Sequence, residues 1–473
     1  VTKEHVHLIG IGGTGMTALA GLLQASGCRV TGSDRMLYPP TSTILERLGL
    51  EVFSGFEPAN LEPAPDLVVV GNATSRGNPE IEEMLDRRLP YTSMPRLIAE
   101  RFLRSRHSIV VAGTHGKTST TSMLAWVLAH AGRDPGFFIG GLPCNFDYPF
   151  HLGRGEAFVI EGDEYDSAFF DKGPKFMHYR PDTALVGTVE FDHADIYRDL
   201  DQIKTAFRRL TNLVPRRGLL VRHADCEVTR EVTEGAHCPV EGYGFALGEW
   251  RAEAFHDSPD GASFRALRRG ELFGEVELSI GGEHNARNAL AVVAAACGQG
   301  LSPREIVEGL ATFRGVRRRL ELRGEAGGVT VLDDFAHHPT AVDATLRAVR
   351  RRYGGARLWA VLEPRSWSLR RNVFHDRLAR AFDAADEVVI AEVYRAGDIP
   401  DEQRLDPRRL AEDVEGRGTN ARFLAGVDEI VAVLGAEARA GDVIVVMSNG
   451  AFGGLHDRML EALQTRAEAA GGR

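Results

Sequence analysis

The chain has 473 residues, 43% of them hydrophobic and 26% charged, and a formal net charge of −10. That is the composition of a globular protein long enough for roughly three domains at ~100–200 residues each. The acidic balance argues against non-specific binding to nucleic acid or an anionic membrane, and no apolar run approaches the ~18 residues of a membrane span.

The first residues, Val1-Thr2-Lys3-Glu4-His5, lack the character of a signal peptide. The five cysteines (Cys28, Cys144, Cys226, Cys238, Cys297) are scattered without a CxxC, so they read as reduced, mostly buried thiols of a cytoplasmic protein. Only five of the 56 basic residues are lysine: Lys3, Lys117, Lys172, Lys175 and Lys204. Where arginine is the default cation, a lysine inside a glycine loop marks a need for a compact ammonium.

Residues 1–105 alternate strand and helix. Val6–Ile9 is predicted as a strand, Met16–Ser26 as a helix, Arg29–Gly32 as a strand and Thr43–Leu48 as a helix. Strands follow near Val52 and at Leu67–Val70, and Pro79–Arg88 reads as a helix, which makes a small doubly wound α/β unit. Between its first strand and helix lies Gly10-Ile11-Gly12-Gly13-Thr14-Gly15. Glycines let the backbone approach an anion, and a helix N-terminus offers unpaired N–H groups and about half a positive charge. With Asp34 24 residues after Gly10, the loop taken alone is a dinucleotide fingerprint, which leaves an NAD(P)-dependent oxidoreductase open. Another nucleotide, or merely a tight strand–helix turn, also fits.

Residues 106–317 form the second unit. A strand from His107 leads into Gly113-Thr114-His115-Gly116-Lys117-Thr118 and a helix over Thr118–Ala131. Val111 stands where the strict P-loop pattern has its first glycine, but the working parts are present: N–H groups for phosphates, Lys117 for the β/γ-phosphates, and the Thr118 hydroxyl for Mg²⁺. The next strand, Ala157–Ile160, ends in Glu161-Gly-Asp163-Glu164-Tyr165-Asp166, where a P-loop protein holds its Mg²⁺; Glu161, nearest the strand, is the first choice. After the strand Ala184–Val186 comes Glu190-Phe-Asp192-His193-Ala-Asp195, in which a histidine between carboxylates can ligate a second metal or carry a proton. Asp201–Leu213 is predicted helical, and residues 227–281 are predicted β-like with a hairpin at Arg268-Arg269-Gly270-Glu271. Helices return at Asn285–Cys297 and Pro303–Phe313. Asn285 fits an N-cap; Asn288, one turn on, offers a donor and an acceptor suited to an adenine edge.

Arg317-Arg318-Arg319 marks a boundary, and residues 318–473 form a third α/β unit with strands at Val329–Leu332, Leu358–Leu362, Glu387–Ala391 and Val443–Met447. Its first strand ends in Asp333-Asp334-Phe335-Ala336-His337-His338-Pro339. The tail Arg466–Arg473 is expected to fray.

In order along the chain, GTHGKT, the strand-end Glu161, the Asp192-His193 pair, Gly282-Glu-His-Asn285-Ala-Arg-Asn288 and Asp333–Pro339 resemble the Mur ligases, the ATP-dependent amide-forming enzymes of peptidoglycan synthesis. The resemblance runs end to end. It implies a UDP-sugar-binding Rossmann-like first domain, a central P-loop ATPase domain with a small β-rich extension, and a C-terminal Rossmann-like domain for the incoming amine. Glu161–Lys172, Glu190–Tyr197, Arg318–Gly324, Asp333–Thr340, Glu363-Pro-Arg365-Ser366 and Met447–Gly454 resemble the branch that joins L-Ala-γ-D-Glu-meso-diaminopimelate to UDP-N-acetylmuramate. Gly12–Met16 is closer to the branch that adds L-alanine, which stands as the alternative, and Trp367 replaces a frequent asparagine.

By this resemblance Lys117, Glu161, His193 and His337 are catalytic, and Thr118, Glu161 and His193 hold metal. Gly113–Thr118, Asn288, Arg319 and Asp334 bind ATP, with Asn288 facing adenine, Arg319 a phosphate and Asp334 the ribose or the domain hinge. Gly12, Thr14, Gly15, Ser33, Asp34, Ser75, Arg76 and Asn78 bind the UDP-sugar, and Arg365, Arg370 and Arg371 read the peptide carboxylates. Lys204, the only lysine near the Asp-His motif, is not assigned a carbamate role. The implied cofactors are ATP and Mg²⁺; the partners are the two substrates, with no nucleic acid or membrane, in a monomer or weak dimer. A non-catalytic ATP-driven switch is the remaining rival.

Overall fold

The first sheet has five parallel strands in the order Glu51–Ser54, Arg29–Asp34, His5–Ile9, Leu67–Val70, Tyr91–Ser93. Connections leave His5–Ile9 in opposite directions, so a crevice opens at its C-terminal end, where the first glycine loop sits. The computed structural model describes residues 3–471.

The central sheet has ten strands. Ala157–Gly162, His107–Ala112 and Thr183–Val186 lie side by side and parallel within it. Their C-terminal ends carry the P-loop, Glu161 and the 187–195 turn, so three motifs far apart in sequence become neighbours. Each strand is buried on both faces and correspondingly apolar. The β-rich extension adds Trp250–Ser258, Gly261–Arg268 and Glu271–Leu278 as an antiparallel meander. Its last turn is the predicted hairpin: Arg268 pairs with Glu271, and Arg269 and Gly270 take φ of 53° and 89°, the left-handed pair that a two-residue turn needs.

The third sheet runs Glu321–Ala326, Val329–Asp334, Val443–Met447, Leu358–Leu362, Glu387–Ala391, Asn420–Leu424. Its two outer strands, Glu321–Ala326 and Asn420–Leu424, were not predicted, since both are half-exposed and lack an apolar run.

Other expectations are corrected. Within the stretch expected to be β-like, Glu227–Thr233 is a helix; burial of Thr229, Val232 and Thr233 along one face, against the helix Leu200–Leu213, overrides the β-branched composition. The tail is helical rather than frayed through Leu455–Gly471, anchored by buried Leu455, Met459 and Leu463; residues 472 and 473 lie outside the described residues. All five cysteines are free, but only Cys28 is buried; the other four are half-exposed. Among the described residues no helix is long and apolar enough to cross a membrane.

The helix Thr14–Ala25 of the first domain packs on the central domain at Gly21, where a Cβ would lie 1.9 Å from the Phe150 ring. Gly21→Val should therefore lower the melting temperature by several degrees, through an overpacking cost of about 1–3 kcal/mol. Gly235→Ala, where a Cβ would meet nothing within 4 Å, should leave it unchanged. Calorimetric melts of the two variants check this.

Candidate active site

Positive φ at Gly113 (140°) and Gly116 (79°) shapes the P-loop. A Cβ on Gly113 would meet the Gly187 backbone at 3.1 Å, and one on Gly116 would meet Asn288 Oδ1 at 2.7 Å. The loop is thus clamped between the neighbouring strand end and the helix Glu283–Gly298. Thr114 fastens it further: its N–H donates to the Thr188 carbonyl (2.7 Å), and its hydroxyl accepts from the Glu190 N–H (2.9 Å).

Lys117 Nζ donates to the Gly113 carbonyl at 2.7 Å and to Glu164 Oε2 at 2.9 Å. Glu164 is 1% exposed, and its Oε1 lies 3.5 Å from His193 Nε2. Burial alone would raise the Glu164 pKa, but Lys117 and then His193 hold it down to about 2. Burial works against the His193 imidazolium, yet the adjacent Glu164 carboxylate raises its pKa above the usual value. His193 has a φ of 52°, held there by its N–H donating to Asp192 Oδ1 at 2.7 Å.

Glu161 accepts from the Gly140 N–H at 2.6 Å and from the Thr118 hydroxyl at 3.1 Å. Burial, then the nearby Asp163 charge, pushes its pKa up to about 7, so this carboxylate is short of positive charge. A hydroxyl and a carboxylate are hard oxygen donors that suit Mg²⁺, and the cation would supply what Glu161 lacks. His193, the third donor expected from sequence, has its Nε2 3.5 Å from Glu164 Oε1.

The C-terminal domain closes over residues 190–194. Glu190 accepts from the Thr340 hydroxyl (2.8 Å) and from Arg377 (2.9 Å). The Phe191 carbonyl accepts from His338 Nε2–H at 3.1 Å, and Ser368 Oγ donates to Asp192 at 2.7 Å. His115, Glu190 and His338 offer ligand atoms within 4.8 Å of one another. Arg377 already neutralises Glu190, and both His338 nitrogens are hydrogen-bonded, so the trio serves as a latch between domains. His337 Nδ1–H donates to the Phe335 carbonyl at 2.8 Å, which leaves Nε2 as an acceptor. Burial pushes the His337 pKa down to about 4, so the ring is neutral at pH 7.

One cavity of about 540 Å³ joins these parts. Its wall includes Thr14 and Gly15 of the first glycine loop; His115, Lys117 and Thr118 of the P-loop; Glu161, His193, Asn288, Arg319, Asp334 and His337. Asp334 accepts from the Leu320 N–H (2.8 Å), the Ala336 N–H (2.8 Å) and the Thr345 hydroxyl (3.1 Å), which commits its carboxylate to the hinge.

Other predicted residues lie off the cavity. Asp34 Oδ2 accepts from the Gly12 N–H at 2.9 Å, so it closes its own loop instead of reaching for a ribose as the dinucleotide reading requires. The Ser33 hydroxyl is buried and donates to Glu80, and Asn78 caps the helix Pro79–Asp86 by accepting from the Glu80 and Ile81 N–H groups. Ser75 is exposed, as is Arg76, which pairs with Glu82 at 2.8 Å. Arg370, 4% exposed, donates to the Arg395 carbonyl at 2.9 Å, Arg365 lies over Tyr394 at 3.8 Å, and Arg371 donates to Gln403 at 2.6 Å. All three arginines have partners within their own domain. Lys204 is remote as well, paired with Glu231 at 2.7 Å.

Glu164, Asp192, His338 and Ser368 were not singled out from sequence. The first three lie inside motifs that were, but nothing in a run of acids or histidines says which one faces the P-loop. Ser368 carried no signal.

A P-loop, strand-end acids and a neutral histidine facing one cavity define an ATP-dependent ligase built from three α/β domains. The chain matches three family models: Mur ligase family, catalytic domain, over residues 5–106; Mur ligase middle domain over 111–296; and Mur ligase, glutamate ligase domain, over 318–450. It belongs to the Mur ligase family. It is 44% identical to the UDP-N-acetylmuramate–L-alanyl-γ-D-glutamyl-meso-2,6-diaminoheptandioate ligase of Escherichia coli (strain K12), over 98% of this chain and 99% of that protein. Its fold is similar to a murein peptide ligase of Psychrobacter arcticus 273-4 (TM-score 0.76, 40% identity, 98% and 99% of the two chains). It is also similar to the UDP-N-acetylmuramate–alanine ligase of Thermotoga maritima (TM-score 0.82, 26% identity, 98% and 99%).

Glu164→Gln should leave the Lys117 ammonium buried without its counter-charge, at a cost of about 3–5 kcal/mol. It should also lower the His193 pKa, because Glu164, ahead of Asp192, raises it. An NMR titration of the His193 ring reads this directly; an unmoved titration would separate the two residues.

Proposed function

We propose that the chain joins UDP-N-acetylmuramate to L-Ala-γ-D-Glu-meso-diaminopimelate with conversion of ATP to ADP and phosphate, in the recycling of cell-wall peptide. The observation that carries this is the single cavity shared by the first glycine loop, the P-loop and the His337 turn. A ligase must bring a tagged carboxylate, a γ-phosphate and an amine to one place, and each of these elements serves one of the three. The choice of a peptide as amine donor rests on the likeness to the Escherichia coli ligase.

Residues 1–105 hold the UDP-sugar, 106–317 hold ATP and 318–473 the peptide. An oxygen of the lactyl carboxylate attacks the γ-phosphorus, the bond to the ADP oxygen breaks, and an acyl phosphate forms. P-loop N–H groups and Lys117 hold the phosphate charge, with Lys117 oriented by Glu164. Mg²⁺ bound by Glu161 and Thr118 would offset charge on the transferred group. The peptide amine then attacks the acyl carbon, and the tetrahedral intermediate expels phosphate. The ammonium formed on the attacking nitrogen is acidic, and neutral His337, with Nε2 free to accept, takes its proton. Contacts from residues 190–194 to the C-terminal domain hold that domain shut, which keeps water from the acyl phosphate.

Product mass is the direct test. With UDP-N-acetylmuramate and Mg-ATP, the tripeptide should be incorporated in preference to L-alanine; the reverse would assign the chain to the alanine branch. Lys117→Ala should reduce ATP turnover by orders of magnitude while calorimetric binding of the UDP-sugar persists; loss of both would mean misfolding. A pH dependence follows from Glu161. Its folded pKa, raised to about 7, makes the cation-free protein lose stability as pH rises through that value. Mg²⁺ competes with the same proton, so its affinity should rise roughly tenfold per pH unit up to about pH 7 and then level. Mg²⁺-induced shifts in melting temperature from pH 5.5 to 8 read this, and Glu161→Gln should abolish the trend.

A further inference from the structure

Four cationic side chains line the cavity: Lys117, Lys175, Arg287 and Arg319. Lys117 belongs to the P-loop. Arg287 is paired with Glu283 at 2.7 Å, and Arg319 lies over Phe335 of the C-terminal domain at 5.0 Å. Lys175 has no task in the chemistry above, yet it is 6% exposed. Its ammonium lies 3.1 Å from Asp163 Oδ2 and 3.9 Å from the centre of the Tyr165 ring.

The chain is built to bring it there. Asp166–Ala168 and Asp171–Pro174 pair as a hairpin that runs out and back, after which the Lys175 N–H donates to the Tyr165 carbonyl at 3.2 Å. The turn Lys175–His178 packs on the helix Met94–Ile98 of the first domain. Met94 in turn lies against the first glycine loop, where a Cβ on Gly15 would be 3.1 Å from its sulfur. Lys175 is therefore the cation on the UDP-sugar side of the cavity, as Lys117 is on the ATP side. Burying an ammonium is costly unless it is compensated, and this chain uses arginine for 51 of its 56 basic residues. A rotatable head with three donors can keep Asp163 and still offer a hydrogen bond into the cavity.

We infer that Lys175 binds the carboxylate that is activated, the lactyl carboxylate of the sugar nucleotide on the reading above, on which this inference rests. An entering carboxylate meets Glu161, Asp163 and Glu164 within one strand end, and without a second cation it would be repelled. No bond to Lys175 forms or breaks; it holds the carboxylate for attack.

The test is calorimetric binding of two ligands, UDP-N-acetylmuramate and UDP-N-acetylglucosamine, which lacks the lactyl carboxylate. Lys175→Met should weaken the first at least tenfold and leave the second, and the KM for ATP, within twofold. Lys175→Met with Asp163→Asn removes the orphaned acid and guards against misfolding; it should show the same selective loss. Equal losses on both ligands, or none in either variant, would overturn the inference. If the wild-type protein itself fails to bind UDP-N-acetylmuramate, the functional reading fails first and the inference with it.

Discussion

The buried pair of Lys117 and Glu164 is the interaction on which the site depends. At 2.9 Å, with Glu164 almost fully enclosed, neither charge is stable without the other. The pair also sets the neighbours. Glu164 orients the one lysine of the P-loop, and its second oxygen draws His193 toward its charged form. Glu161, three residues earlier on the same strand end, is left with two hydrogen-bond donors and no cation, which makes it the carboxylate able to take a metal. A single strand end thus holds two glutamates in opposite states, one ionised by its neighbours and one poised near neutrality.

Closure is linked to the same elements. The strip from Glu190 to Ala194 meets the C-terminal domain through the Glu190 and Asp192 carboxylates, the Phe191 carbonyl and the Ala194 N–H, at Thr340, Arg377, His338 and Ser368. His193 lies inside that strip and points the other way, to Glu164. A domain that docks on residues 190, 191, 192 and 194 therefore orders the backbone that aims His193. Docking also brings His337 to the cavity, where burial keeps its imidazole neutral.

Much of this was legible beforehand because its signals are local. The strand ends and glycine loops could be placed from apolar runs and turn residues, and the end-to-end motif order pointed to the family. What the sequence did not show were the internal contacts of residues whose type fits binding. Asp34 has the position of a ribose acceptor yet closes its own loop, Asn78 caps a helix, and Arg370 is buried against a carbonyl of its own domain. Sequence does not reveal such contacts, since a hydrogen bond to backbone and one to ligand use the same side chain.

The sequence by itself determined the class of the protein: three α/β units, two phosphate loops, and acids and histidines at strand ends, all set by patterns within a few residues. Only the tertiary structure decided which of those groups meet. Parallel strands from residues 107, 157 and 183 become neighbours through crossover connections, and only that adjacency makes Glu164 the partner of Lys117. Likewise the hairpin 166–174 and the packing of its exit turn on the first domain, both long-range matters, bring Lys175 into the shared cavity. Charge pairing falls steeply with distance and burial, and neither is written in the order of the residues.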